Sequence, residues 1–175
     1  MNKLTQLQRD ALKEALKLDG LSIEHKNTLK ALLDSNKNNE IIPKLFVDGA
    51  ADLHSKTAGI GGVVYINEGE VANFSEPLYD KTNNESEYLS LIKGIQVIHE
   101  LKFGNVLIYS DSELIVKQVT GEYKIKNDRM KKLNDEVKLN LRKLTSWSIE
   151  HVRREKNTRA DELSKLGMEE ARGSK

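Results

Sequence analysis

From Lys44 onward the order of apolar patterns constrains the fold more than any other feature: three strand-like runs come first and helical stripes follow. Lys44 to Asp48 reads as a buried strand. Ala58 to Ile66 reads as a glycine-rich strand, Asn67 to Glu70 as a hairpin turn, and Val71 to Glu76 as the antiparallel return. Asn84 to Leu101 places Tyr88, Leu91, Ile92, Ile95 and Ile98 on one helical face, and Gly104 punctuates it. Asn105 to Ser110 is then a strand, Asp111 to Val119 a short helix, and Asn127 to Leu144 a basic amphipathic helix. Ser146 to Val152 is a strand in which Trp147 and Ile149 alternate with polar residues. Thr158 to Ala171 is a final helix. The order β-β-β-α-β-α-α-β-α predicts an α/β domain with one mixed sheet covered by helices.

The first 40 residues have a different texture. Leu4, Leu7, Ala11, Leu12, Ala15 and Leu16 recur at helical spacing over 3–18, and Asp19-Gly20 stops that helix. Ser22 is placed to cap a second helix carrying Leu29, Leu32 and Leu33. Asp34 to Glu40 is polar and unpatterned and reads as a linker. The expected division is therefore 1–40, a two-helix extension with linker, and 41–175, the main domain. Two helices of this size cannot bury a core alone. They are expected to dock, to form a homodimer with a second copy, or to grip a partner.

Composition narrows the chemistry. With 28 Lys/Arg against 27 Asp/Glu, the net charge says nothing about a nucleic-acid partner; only its distribution can. There is no cysteine, so disulfides and thiolate metal sites are excluded, and any metal must be held by oxygen or imidazole. No apolar run approaches the ~18 residues of a membrane span, and the N-terminus lacks an apolar signal core. A soluble, cytoplasmic protein is expected.

Four carboxylates occupy special places. Asp48 ends, or lies within, an otherwise apolar strand, where a carboxylate is costly unless paired or metal-bound. Asp111 follows directly on an apolar strand, at the end where α/β sheets gather ligands. Glu87 sits one turn before Leu91 beside the apolar stripe, and Asp161 in the first turn of the last helix. Each has an ordinary alternative. Asp48-Gly49 suits a turn, Asp111 a helix cap, and Asp161 a capping box with Thr158. Glu87 suits a solvated helix position and competes with Glu85.

Taken in order, five segments resemble the type 1 ribonuclease H family from residue 44 to about 170. They are Phe46 to Gly49, Ala58 to Gly62, Thr82 to Leu89, Tyr109 to Ser112, and His151 through Ala160 to Leu163. The resemblance implies a ribonuclease H-like fold, a five-stranded mixed sheet of three antiparallel hairpin strands plus two parallel ones. It implies hydrolysis of the RNA strand of an RNA/DNA hybrid to 5′-phosphate and 3′-hydroxyl products. Asp48, Glu87, Asp111 and Asp161 match the metal-binding acids, and His151 the histidine that assists proton transfer or product release. Two Mg²⁺ or Mn²⁺ ions about 4 Å apart would be the cofactors. Asn83, Asn84, Ser112 and His54 fall at substrate-contacting positions, although both asparagines could equally cap the long helix.

The charge distribution adds to this. Tyr123 to Lys143 carries eight Lys/Arg, Lys124 and Lys126 among them, against three acids. Arg153, Arg154, Lys156 and Arg159 precede Asp161. These are the candidates for phosphate attraction, although a solvated helix face would look similar.

Three departures stand out. The chain passes from Val119 to the basic helix in a few residues, as in family members without the basic handle. His54 stands where an asparagine touching the 2′-hydroxyl is common, so double-stranded RNA enters as a second substrate. The first 40 residues contain no aromatic residue, so base stacking is not expected there. Two rivals follow: another ribonuclease H-like nuclease such as an integrase or exonuclease, and a non-catalytic hybrid- or RNA-binding module.

Overall fold

The computed structural model describes residues 4–37 and 41–174. Contacts divide the chain into two compact units, Met1–Ile41 and Ile42–Lys175.

In the first unit, α1 (Gln6–Ala15) begins with a reciprocal capping box between Thr5 and Gln8. The second helix, α2 (Ile23–Lys37), starts beneath Ser22, whose Oγ accepts the His25 N–H at 3.2 Å. The expected linker at 34–40 is corrected in its first half, because α2 continues through Lys37. Extending a formed helix adds a hydrogen bond per residue and needs no apolar stripe, so polar residues prolong it unseen by periodicity. Residues 38–40 lie outside the described ones. No described residue of this unit is fully buried, and Leu7, Leu18 and Ile23 are exposed.

The second unit is built on a five-stranded sheet in the order β3-β2-β1-β4-β5. The strands are β1 (Lys44–Asp52), β2 (Thr57–Ile66), β3 (Gly69–Tyr79), β4 (Asn105–Ser110) and β5 (Ser146–His151). β1, β2 and β3 pair antiparallel in sequence, whereas β4 joins β1, and β5 joins β4, in parallel. The β2–β3 turn has positive φ at both Asn67 and Glu68, the twist a two-residue hairpin requires. β3 runs three residues past the expected Glu76.

The long helix α3 (Asn83–Glu100) lays Tyr88, Leu91, Ile95 and Ile98 on Leu45, Val47, Val106 and Ile108, all of them buried. Two further helices, α4 (Glu113–Thr120) and α5 (Asp128–Leu141), extend that layer. The Tyr88 hydroxyl ties the three helices together, donating to Gln118 Oε1 at 2.8 Å and accepting from Asn134 Nδ2 at 3.1 Å. The last helix, α6 (Thr158–Gly173), packs on β1, β2 and β3. Of the two apolar residues that alternate with polar ones along β5, Ile149 is buried but Trp147 is 39% exposed. β5 is an edge strand, so a side chain near its start has sheet on one flank only. A 3₁₀ turn at Arg154–Lys156, which apolar periodicity cannot reveal, links β5 to α6. Among the described residues no helix is long and apolar enough to cross a membrane.

Candidate active site

Parallel pairing of the two central strands sets Val47 opposite Ser110, so the next residues, Asp48 and Asp111, emerge side by side. Glu87 arrives from α3, whose first turns press directly on β1. A Cβ at Gly49 would lie 2.3 Å from Glu87 N, so any other residue there would push the helix away. The capping box at the start of α3 also settles which acid points inward. Glu85 closes the box with Thr82, its Oε2 taking the Thr82 N–H and hydroxyl at 2.9 Å each. Glu87, two residues on, is left facing the sheet. Thr82, rather than Asn83 or Asn84, is the cap of α3.

One carboxylate oxygen from each of Asp48, Glu87 and Asp111 lies within 4.8 Å of the others. These three acids line a cavity of about 250 Å³ with Asn83, Gly49, Arg154 and Lys165. Asp161 stands beside this group rather than within it. Its two oxygens are held by Arg154 Nη2 and by Lys165 Nζ, the latter at 2.5 Å. It follows Asn157 at the start of α6 but does not cap that helix, which has no side-chain cap. Asp111 is likewise not a cap, since Ser112 holds that position for α4.

Three side chains that sequence reasoning passed over complete the site. Ser164 donates to Asp48 Oδ2 from α6, and its Oγ lies 3.0 Å from the Asp161 carbonyl. Asn157, fully buried, donates through Nδ2 to Asp111 Oδ1 at 2.9 Å and to Val47 O at 3.0 Å. Lys165 neutralises Asp161. Ser164 and Lys165 follow Asp161 at helical spacings that would have marked them; nothing local marks Asn157 as a partner of Asp111.

The electrostatics follow from crowding. Burial, then the charges of Asp48 and Asp111, push the Glu87 carboxyl up to about 9, against the pull of the Gly49 N–H and Arg154. Burial pushes Asp48 up to about 6; the Ser164 hydroxyl opposes this, while Asp111 and Asp161 add to it. For Asp161 burial acts upward as well, but the hydrogen bonds from Lys165 and Arg154 outweigh it and hold the carboxyl below its usual range. Two buried atoms among the described residues have no hydrogen-bond partner, Glu87 Oε2 and Asn157 Oδ1.

The other sequence candidates fall elsewhere. His151 ends β5 opposite Ser110 and is exposed. It lines a separate groove of about 610 Å³ with Lys44, Phe46, Tyr109, Arg153 and Lys156. Asn84, Lys124 and Lys126 line a third cavity of about 420 Å³ between α3, α4 and the loop before α5. Ser112 donates its N–H to Ser110 Oγ at 3.1 Å. His54 is exposed, its N–H bound to Asp52 Oδ1 at 3.0 Å, and it lines none of these three cavities.

A mixed five-stranded sheet with acids gathered where the parallel pairing of β1 with β4 ends defines a ribonuclease H-like α/β protein. Residues 46–167 match the family described as "Reverse transcriptase-like". The chain is 29% identical over 127 residues to ribonuclease HI of Halobacterium salinarum, covering 72% of this chain and 64% of that protein. It is 30% identical over 126 residues to the bifunctional protein Rv2228c of Mycobacterium tuberculosis, 71% of this chain but 35% of that one. The chain thus spans less than two thirds of these curated relatives. Solved structures align with nearly their whole length. The N-terminal RNase H domain of Rv2228c superposes with TM-score 0.73 at 28% identity, covering 77% of this chain and 99% of that one. LC11-RNase H1 in complex with RNA/DNA hybrid gives TM-score 0.69 at 30% identity, covering 74% and 98%. The chain belongs to the reverse transcriptase-like family, in its type 1 ribonuclease H branch.

Proposed function

We propose that this protein is a metal-dependent endoribonuclease that hydrolyses the RNA strand of RNA/DNA hybrids. The observation that carries the reading is the convergence of Asp48, Glu87 and Asp111, with the buried Glu87 Oε2 lacking any protein partner. The donors are all carboxylate oxygens, the ligand type Mg²⁺ and Mn²⁺ prefer. Their mutual repulsion is the kind a divalent cation relieves. Asp48, Glu87 and Asp111 would hold the metal, with Asp161 bordering them. When bound, a pair of divalent ions supplies a water of lowered pKa and a counter-charge for the leaving oxygen.

The protein's own groups do the rest. Ser164 and Asn157 fix the Asp48 and Asp111 carboxylates, so little reorganisation is needed at the moment of reaction. Asn83 faces the acid cavity, where it can orient a phosphate. Asn84, Lys124 and Lys126 form a neighbouring polar and basic surface suited to the nucleic-acid backbone. His151, exposed one strand from Asp111, can return a proton to the departing 3′-oxygen. Attack of water on phosphorus and rupture of the P–O3′ bond would leave a 5′-phosphate and a 3′-hydroxyl. The hybrid seen bound to LC11-RNase H1 supports the substrate choice. Double-stranded RNA is the second substrate to test, because His54 replaces a discriminating asparagine.

The test is incubation of end-labelled hybrid, double-stranded RNA and single-stranded RNA with Mg²⁺ or Mn²⁺, beside the Asp48→Asn variant. Cleavage of the hybrid that needs metal and vanishes in Asp48→Asn is expected. Hybrid binding without any cleavage would leave a binding module instead, and cleavage by Asp48→Asn at the normal rate would overturn the site.

A further inference from the structure

Arg154 lines the same cavity as Asp48, Glu87 and Asp111, and its Nη2 donates to Asp161 Oδ1. Its charge also acts on Asp48, Asp111 and Glu87, so one guanidinium serves all four acids. Lys165 holds the other Asp161 oxygen, leaving neither carboxylate oxygen of Asp161 without a cation. The backbone of Arg154 is pinned by the 3₁₀ turn, where the Asn157 N–H donates to Arg154 O at 2.9 Å. Its side chain, by contrast, is 68% exposed. An ion pair so open to water is weak, and the guanidinium can leave without disturbing the turn.

We propose that Arg154 is an internal competitor of the metal: its guanidinium occupies the Asp161 oxygen beside the acid cluster, and an ion that uses Asp161 must displace it. The inference rests on the metal-binding reading given above. It assigns Arg154 a role toward the ion before any substrate is present. The displaced guanidinium, tethered at the mouth of the cavity, is then available to a phosphate. Metal binding thereby gates a substrate contact, and by linkage a phosphate that holds the guanidinium away from Asp161 tightens the metal in return.

The experiment is titration of the full chain with MnCl₂ without nucleic acid, by calorimetry and by the electron-paramagnetic signal of free Mn²⁺. Removing one positive charge a few ångströms from a divalent ion should tighten Mn²⁺ binding by about tenfold in Arg154→Gln. Arg154→Lys, which keeps the charge, should stay near wild type. Arg153→Gln removes the same charge one residue away, from the groove beside His151, and should change the affinity little. Circular dichroism establishes that each variant is folded, and Arg154→Ala serves if the glutamine variant is not. Mn²⁺ binding by Arg154→Gln no tighter than wild type, with wild type binding normally, overturns this proposal alone. Equal tightening by Arg153→Gln also overturns it, since the effect would then be general charge. Absence of Mn²⁺ binding to wild type at millimolar concentration removes the metal-binding reading and this inference with it.

Discussion

Glu87→Gln should make the protein more stable while depriving it of its metal. Glu87 is 7% exposed, and its carboxyl is pushed from an ordinary 4.5 to about 9. A carboxyl raised on folding is harmless below its unfolded value, where it is protonated in both states. Between pH 4.5 and 9 the unfolded chain carries fewer protons on this group than the folded one, so stability falls as pH rises. At about 1.4 kcal/mol per pH unit, the cost at pH 7 is about 3 kcal/mol. Glutamine removes the ionisation at nearly constant volume, and its amide can donate toward Asp48 and Asp111. For a domain of this size the gain corresponds to a melting temperature higher by roughly 5–10 °C. The assay is thermal unfolding followed by circular dichroism in EDTA, wild type against variant, from pH 4.5 to 8. The two should melt together at pH 4.5 and diverge steadily above it. Saturating Mn²⁺ should stabilise wild type and do little for the variant, reversing the order. A variant less stable than wild type at pH 7 in EDTA, or a difference that does not grow with pH, would refute the argument that burial, reinforced by the charges of Asp48 and Asp111, opposes ionisation of Glu87.

Other perturbations reach different parts of the structure. Gly61→Ala should cost about 2–3 kcal/mol in denaturant melts, because a Cβ there would lie 2.2 Å from Ser164 N and force α6 off the sheet. Activity should fall with it, since α6 carries Ser164 and Asp161. Asn157→Ala strips Asp111 and the Val47 carbonyl of a buried donor. It should cost about 1–3 kcal/mol and lower kcat more than it raises KM in steady-state cleavage of a hybrid. The double variant Lys124→Ala, Lys126→Ala should weaken hybrid binding and flatten its salt dependence by about two phosphate contacts, measured as log Kd against log salt. Unchanged salt dependence would place the nucleic acid elsewhere.

Much of the architecture is legible in residue order. The apolar stripe at Tyr88, Leu91, Ile92, Ile95 and Ile98 marks α3 and the face it buries, because a helix against a sheet must show that period. The position of Asp111 just past the end of β4 is equally readable, whereas Asp48 lies inside β1, which continues to Asp52 through its antiparallel pairing with β2. Polar features are less legible. The prolongation of α2 past the last apolar repeat, the 3₁₀ turn at Arg154 and the exposure of Trp147 leave no periodic trace, since they depend on backbone hydrogen bonds or on which strand lies at an edge. Thr82 and Glu85 stand at capping-box spacing, a signal sufficient to assign Glu85 to the cap and leave Glu87 free.

What the sequence determined by itself is the order of strands and helices and the set of acids that a site could draw on, because both follow from local pattern. The tertiary structure decided which acids meet. Parallel pairing of β1 with β4 brings Asp48 beside Asp111, and the absent side chain at Gly49 lets Glu87 reach them. The ion pairs of Asp161 with Arg154 and Lys165 hold the fourth acid at the edge of the group. The bond from Asn157 to Asp111 spans 46 residues of chain. Contacts of that kind depend on sheet order and on close approach of backbones, which no spacing along the chain encodes.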